Sequence, residues 1–297
     1  MKGGKNPYSF PPFLFVLGVS MSDSDLVEIK SYSYSHVGKV RDDNQDAVRL
    51  CDPEDELTIA DGHLYGIADG MGGYAHGGVA SSLALETFFE TFYAANGVAP
   101  SQKLRVGIQN ANLSVYQTAQ RLKAGRMGTT LTAVNIVGRK LHIAHIGDSR
   151  AYLIRDLKST CLTNDHTQVG GLVRMKVLSP EKVRTHSQRS KLEKCLGMEL
   201  FVQPDIFQVT VKPGDVVVLC SDGVWAMIQD DEFAQLITDS KDPENLCKQI
   251  VELAMERDSD DNLSIVILYL DRLAPSETEE KTNSFWPLPD AIRRFFK

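Results

Sequence analysis

The chain has 297 residues, with 32 Lys+Arg against 39 Asp+Glu and a formal net charge of −7. That length fits one large domain or two ordinary ones, and 42% hydrophobic with 24% charged residues is the composition of a packed globule. The acid excess argues against a nucleic-acid binder, which needs a basic face, and no apolar run approaches the roughly 18–20 residues of a membrane span. Five scattered cysteines (Cys51, Cys161, Cys195, Cys220, Cys247) form no CxxC pair. They argue against a disulfide framework or a structural zinc site and point to a reducing cytoplasm.

In chain order, residues 1–25 read as a leader, disordered or a mis-assigned start. The apolar Phe10–Val19 follows Lys2 and Lys5 like a poor signal peptide, interrupted by two prolines, and Met21 is a plausible true start. Residues 26–272 hold an unbroken hydrophobic pattern and read as one domain. Leu64–Ala68, Thr129–Val137, Lys140–Ile146, Ala151–Ile154, Lys158–Leu162, Asp215–Cys220 and Ser264–Leu270 are predicted strands, with Gly138-Arg139 and Pro213-Gly214 as turn signals. Predicted helices are Gly77–Tyr93, Gln102–Lys123 with Ser101 as N-cap, Glu232–Thr238 and Pro243–Glu256. Strands linked by hairpins and broken by paired helices indicate an α+β fold with antiparallel sheets. Residues 163–200 are polar and basic and read as a flap-like, mobile insertion whose Lys182 and Arg184 are candidates for substrate contact. Residues 273–297 form a tail, an acidic linker followed by Phe285–Lys297, whose aromatics and cations suit either docking or fraying.

Five aspartates share one setting, an acid at a strand end or in a tight turn: Asp46, Asp69, Asp148, Asp222 and Asp261. Any one of them is as readily a turn-former as a functional group. Brought together unpaired they would be costly to bury, and a divalent cation is the natural remedy. Oxygen-only ligands select a hard ion, Mn²⁺ or Mg²⁺, over zinc. His142 and His145, three apart in a strand, face opposite sides and read as core or surface histidines.

The order of motifs resembles that of the metal-dependent Ser/Thr protein phosphatases of type 2C, in their bacterial form. The motifs are Arg41-x-x-Asn44-Gln45-Asp46, Asp69-Gly70-Met71-Gly72-Gly73, Gly128-Thr129-Thr130, Gly147-Asp148-Ser149-Arg150, Ser221-Asp222-Gly223 and Asp261-Asn262. The resemblance implies a four-layer α-β-β-α sandwich, two antiparallel sheets flanked by helix pairs. It implies that Asp69 bridges two metals, with the Gly70 carbonyl on one and Asp222 and Asp261 on the other. Asp46 would bind directly or through water, Asp148 would hold a weaker third ion, and Arg41 would grip the substrate phosphate. Asp46, Asp69 and Arg41 then carry the catalysis. The expected reaction is hydrolysis of phosphoserine and phosphothreonine in proteins, substrates of a Ser/Thr kinase, by a water activated at a binuclear Mn²⁺ or Mg²⁺ centre in a monomeric, cytoplasmic signalling protein.

Two departures stand out. Met71 occupies the place where animal members carry a proton-donating histidine, so a metal-bound water is the expected substitute. Gln45 stands where many of them carry glutamate. An Asp61-Gly62-His63 copy upstream does not follow a strand and reads as loop.

Rival readings fall away on the residues. A dinucleotide fingerprint at Gly70-x-Gly72-x-x-Ala75 needs a strand after Gly77–Tyr93, where a second helix is predicted. Ser149 as a hydrolase nucleophile needs a late histidine, and the last one is His186. Asp258–Asn262 lacks the glycine of a calcium loop. A catalytically silent phosphatase fold serving as a regulatory or binding module would be expected to lack one or more of the five aspartates, and all are present.

Overall fold

The computed structural model describes residues 27–72 and 76–273. The leader, the tail and Gly73 lie outside the described residues. The elements in order are β1 (Glu28–His36), β2 (Asp46–Leu50), α1 (Glu56–Asp61), β3 (His63–Gly72), α2 (His76–Ala94), α3 (Pro100–Leu122), β4 (Met127–Thr129), β5 (Leu131–Val137), β6 (Lys140–Ile146), β7 (Arg150–Arg155), β8 (Lys158–Cys161), α4 (Gln168–Arg174), β9 (Asp205–Thr210), β10 (Val216–Cys220), α5 (Asp222–Trp225), α6 (Glu232–Asp239), α7 (Pro243–Glu256) and β11 (Leu263–Arg272). One sheet runs β1-β11-β10-β7-β8, and the other runs β2-β3-β5-β6-β9 with β4 paired to β3. All pairings within the sheets are antiparallel.

Three apolar layers follow from the two-residue period of the strands. In β10, Val217 and Leu219 enter the layer between the sheets, whereas Val216, Val218 and Cys220 face α5, α6 and α7. In β3, Tyr65 and Ile67 enter the same central layer, while Leu64 and Ala68 pack under α2 and α3. Burial on both faces explains why these strands read as continuous apolar runs. Each fully buried Val, Leu or Ile contributes about 1.5–3 kcal/mol of transfer free energy. The arrangement is the expected α-β-β-α sandwich.

Several expectations are corrected. The predicted strand Thr129–Val137 is two elements, because β4 pairs with the end of β3 and the chain breaks at Thr130. The α3 cap is Ala99 with Pro100 in the first turn rather than Ser101, a position where proline loses no hydrogen bond. Asp61 ends α1 instead of lying in a loop, and its carboxylate pairs at 2.7 Å with the buried Lys103. β1, β2 and β9 went unpredicted.

Residues 163–200 include α4, capped by the Thr167 hydroxyl on the Gly170 amide at 3.0 Å, and are tied to the body by the mutual backbone bonds of Leu196 and Thr129, 2.8 and 3.1 Å. Arg184 is not a surface cation: its side chain is 9% exposed and pairs with Asp230, so it is withdrawn as a substrate contact. Among the described residues no helix is long and apolar enough to cross a membrane.

Candidate metal centre

The register of β2 on β3 sets Asp46 directly opposite Asp69, on the face that Val48, Tyr65 and Ile67 give to the central layer. Two carboxylates thus begin where the apolar layer between the sheets ends. β10 and β11 run antiparallel, with Cys220 opposite Ile265, so the residues just after β10 and just before β11 meet at one end. They bring Asp222 and Asp261. Cys220 also lies opposite Arg150, which places the turn carrying Asp148 at that end too. Asp69, Asp148, Asp222 and Asp261 line a cavity of about 530 Å³ with Arg41 and Gly70.

The backbone around Asp69 is pinned: its N–H donates to Thr130 Oγ1 (2.9 Å), and its carbonyl accepts from the Thr130 amide (2.8 Å) and the Thr129 hydroxyl (2.9 Å). Gly70 must be glycine, since a Cβ there would collide with the Gly77 carbonyl. Gly147, with φ +113°, turns the chain into Asp148, and a Cβ would strike Thr130. Asp46 Oδ2 accepts from the Ser221 hydroxyl at 2.8 Å. Asp261 accepts from the Asn262 amide and from Arg41 Nη2, both at 2.9 Å. Arg41, its side chain 53% exposed at the rim, therefore rests on one of the acids in this state.

Burial first, then the neighbouring acids, shapes the electrostatics. Asp46 is pushed up to about 6 by burial and by Asp261. Asp222 is pushed up to about 7 by burial, Asp261 and Asp46, with Arg189 and Arg41 opposing. Asp69 and Asp148 lie well above the usual carboxylate range, both through burial first; Asp46 and Asp222 follow for Asp69, and Asp222 for Asp148. Asp69 feels all four of the other acids.

The buried oxygens Asp46 Oδ1 and Asp222 Oδ1 have no hydrogen-bond partner, a deficit that a hard cation meets and a water-excluded apolar neighbour does not. Among the described residues no three metal-type side chains already close on a single point. The acids ring a cavity rather than a finished coordination shell.

All the sequence-predicted acids are gathered here, and Met71 and Gln45 line the same cavity. His145 is a core residue, bonded to Thr132 Oγ1 (2.9 Å) and the Asn164 carbonyl (3.0 Å), and His142 is half-buried away from it. Sequence reasoning missed the supports. Asn262 accepts from the Gln45 amide (2.8 Å) and donates to the Val37 and Asp43 carbonyls (2.8 and 3.0 Å), holding the whole Arg41 loop. Thr130 and Trp225 act similarly on Asp69 and Asp148; the motifs Gly128-Thr129-Thr130 and Asp261-Asn262 held two of these residues without showing their supporting role.

Comparison with known proteins agrees with the geometry. A family model, Protein phosphatase 2C, matches residues 35–255. The serine/threonine protein phosphatase PstP of Mycobacterium tuberculosis is 33% identical over 232 residues, 77% of this chain and 43% of that protein. The crystal structure of the serine/threonine phosphatase Stp1 from Staphylococcus aureus superposes with a TM-score of 0.74 at 30% identity, covering 85% of this chain and 98% of that one. The catalytic domain of a PstP in complex with two manganese ions gives 0.68 at 29%, covering 81% and 97%. With two sheets meeting at a carboxylate-lined cavity and the family's motifs in order around it, the chain belongs to the protein phosphatase 2C family, the metal-dependent serine/threonine protein phosphatases.

Proposed function

We propose that the chain removes phosphate from phosphoserine and phosphothreonine in proteins at a binuclear Mn²⁺ or Mg²⁺ centre held by Asp46, Asp69, the Gly70 carbonyl, Asp222 and Asp261, with Asp148 serving a third, weaker site. The observation that carries this reading is the convergence of four acids on one cavity with a fifth, Asp46, opposite Asp69 in the strand register; Asp46 and Asp222 each keep a buried, partnerless oxygen. When bound, two divalent ions supply an acidified water and neutralise the charge of the phosphate. The chain's own share is placement. Asp46 and Asp69 present a fixed pair of carboxylates because strand register leaves them no freedom. Arg41 leaves Asp261 and takes two phosphate oxygens in its planar fork.

Among the described residues no histidine lines the cavity, in keeping with a water held by the ions, when they are bound, as the proton source for the departing Ser or Thr oxygen. Phosphate monoesters require a barrier reduction on the order of 20 kcal/mol, much of which comes from orientation and from fixed charge.

The reading extends to residues 26–272 as the phosphatase unit and 163–200 as an insertion over it. We take the chain to act as a monomer on phosphoproteins made by a Ser/Thr kinase. Five free cysteines suit a reducing, cytoplasmic setting. The test is turnover of a small aryl phosphate. It should require Mn²⁺ or Mg²⁺ and stop with chelator. In Asp222→Asn it should fall by more than the roughly 10–100-fold loss typical of residues behind a metal's ligands. Metal-loaded protein that binds phosphoproteins without turnover would establish the silent-module reading instead.

A further inference from the structure

The turn that carries Asp148 is gripped from outside the metal cavity. Trp225, 1% exposed, donates its indole N–H to the Asp148 carbonyl at 2.8 Å. The Arg150 guanidinium lies 3.6 Å from the centre of that indole ring, and Arg184 reaches to 5.7 Å. Arg150 is fixed by two bonds to Asp165, 2.9 and 2.8 Å. Arg184 comes from the 163–200 segment and is placed by Asp230 and the indole, because its buried Nη1 has no hydrogen-bond partner. The same segment holds the turn a second time. Gly147 donates to His166 Nδ1 at 3.1 Å, and its carbonyl accepts from the His166 amide at 2.7 Å.

Cations near an indole polarise its N–H and make it a stronger donor. The backbone of Asp148 is thus held by an indole whose environment the insertion sets. We propose that Trp225 is a positioning residue for Asp148, and that residues 163–200 act through it: the seat of Arg184 near the indole and of His166 on Gly147 sets the direction of the Asp148 carboxylate and the affinity for a divalent ion there. The inference rests on Asp148 being a ligand, and it makes the insertion a determinant of metal occupancy without any of its residues touching the ion.

The test is a Mg²⁺ titration of the ¹⁵N-labelled full chain, following the Trp225 indole resonance (assigned against Trp286→Phe) alongside calorimetry. The Trp225 signal should move with Mg²⁺, and Asp148→Asn should abolish that movement. Arg184→Gln and Trp225→Phe should each weaken the Mg²⁺ step that moves the signal by about tenfold, whereas the exposed Lys182→Gln should not. Arg184→Lys keeps a cation beside the indole and should restore part of the affinity that Arg184→Gln loses, at smaller cost to the fold.

A still indole signal while calorimetry records Mg²⁺ binding overturns the proposal, and the wild-type chain suffices for that observation. Variants at 184 and 225 that lower thermal stability but leave Mg²⁺ affinity unchanged overturn it as well. If those variants bind normally while Asp148→Asn binds poorly, the coupling fails and the ligand reading stands. If Asp148→Asn binds as the wild type does, both fall.

Discussion

Asp46 faces Asp69 across two strands, a like-charge pairing that in an ordinary sheet is destabilising. On the proposed assignment, stability here is given up to keep charge where the metal would sit. Asp69→Asn should therefore stabilise the metal-free chain by up to about 1 kcal/mol, read in urea unfolding, while metal-dependent phosphatase activity is lost. Arg41→Ala should lower phosphopeptide turnover about a hundredfold, in the range of other lost charge-assisted contacts. It should not weaken metal binding, because Arg41 occupies Asp261 rather than supporting it; weaker binding in calorimetry would mean that Arg41 has a structural role. The five aspartates were legible in the sequence because they repeat one local setting. The supporting roles of Asn262, Thr130 and Trp225 were not, since that work is done across separations such as the 217 residues between Gln45 and Asn262, which no local pattern records.

Elements explain why two similar triplets have different fates. Asp61-Gly62-His63 follows a short helix and turns its acid onto Lys103, which is 4% exposed and lies over the Phe92 ring. Asp69-Gly70-Met71 lies within β3, whose far end is tied to β4 and to Gln45. Asp61→Ala strands a buried ammonium and should cost about 3 kcal/mol of stability with activity unchanged once the protein is folded. Activity loss at permissive temperature would count against that division. The long helices and the double-sided strands were readable because periodicity and length survive in the sequence. β2 has only five residues, and β9 is short and mostly half-buried, so neither stood out. The break at Thr130 was hidden because the residues on either side of it are equally apolar and buried.

At the scale of the whole molecule the site ties stability to pH. Asp46 and Asp222 titrate at about 6 and about 7 against an ordinary 3.8. The folded chain therefore holds their protons more tightly than the unfolded chain does. Their contribution favours folding fully below pH 3.8 and is lost as pH rises through 6 and 7. His145, pushed down to about 4 by burial and by His166, acts in the opposite sense between pH 4 and 6.5, so a plain melting curve mixes the two. The gain from metal separates them, since the ion competes only with carboxylate protons. The rise in Tm caused by excess Mn²⁺ should grow from about pH 5 to pH 8, and Asp222→Asn should flatten it. A gain independent of pH would mean that other groups hold the ion.

The acids are shared out between the two sheets. Asp46 and Asp69 ride on one, Asp222 and Asp261 cap adjacent strands of the other, and Asp148 sits on the connection between them. A cation held across that seam, as proposed, would work as a caliper on the sandwich, its affinity registering how far apart the sheets stand. The spacing is set by side chains such as Val217, Leu219 and Leu268, none of which is near a ligand role. The fit of an apolar core would thus become part of the cation's dissociation constant, and a methyl group trimmed between the sheets would be felt as a change in metal demand.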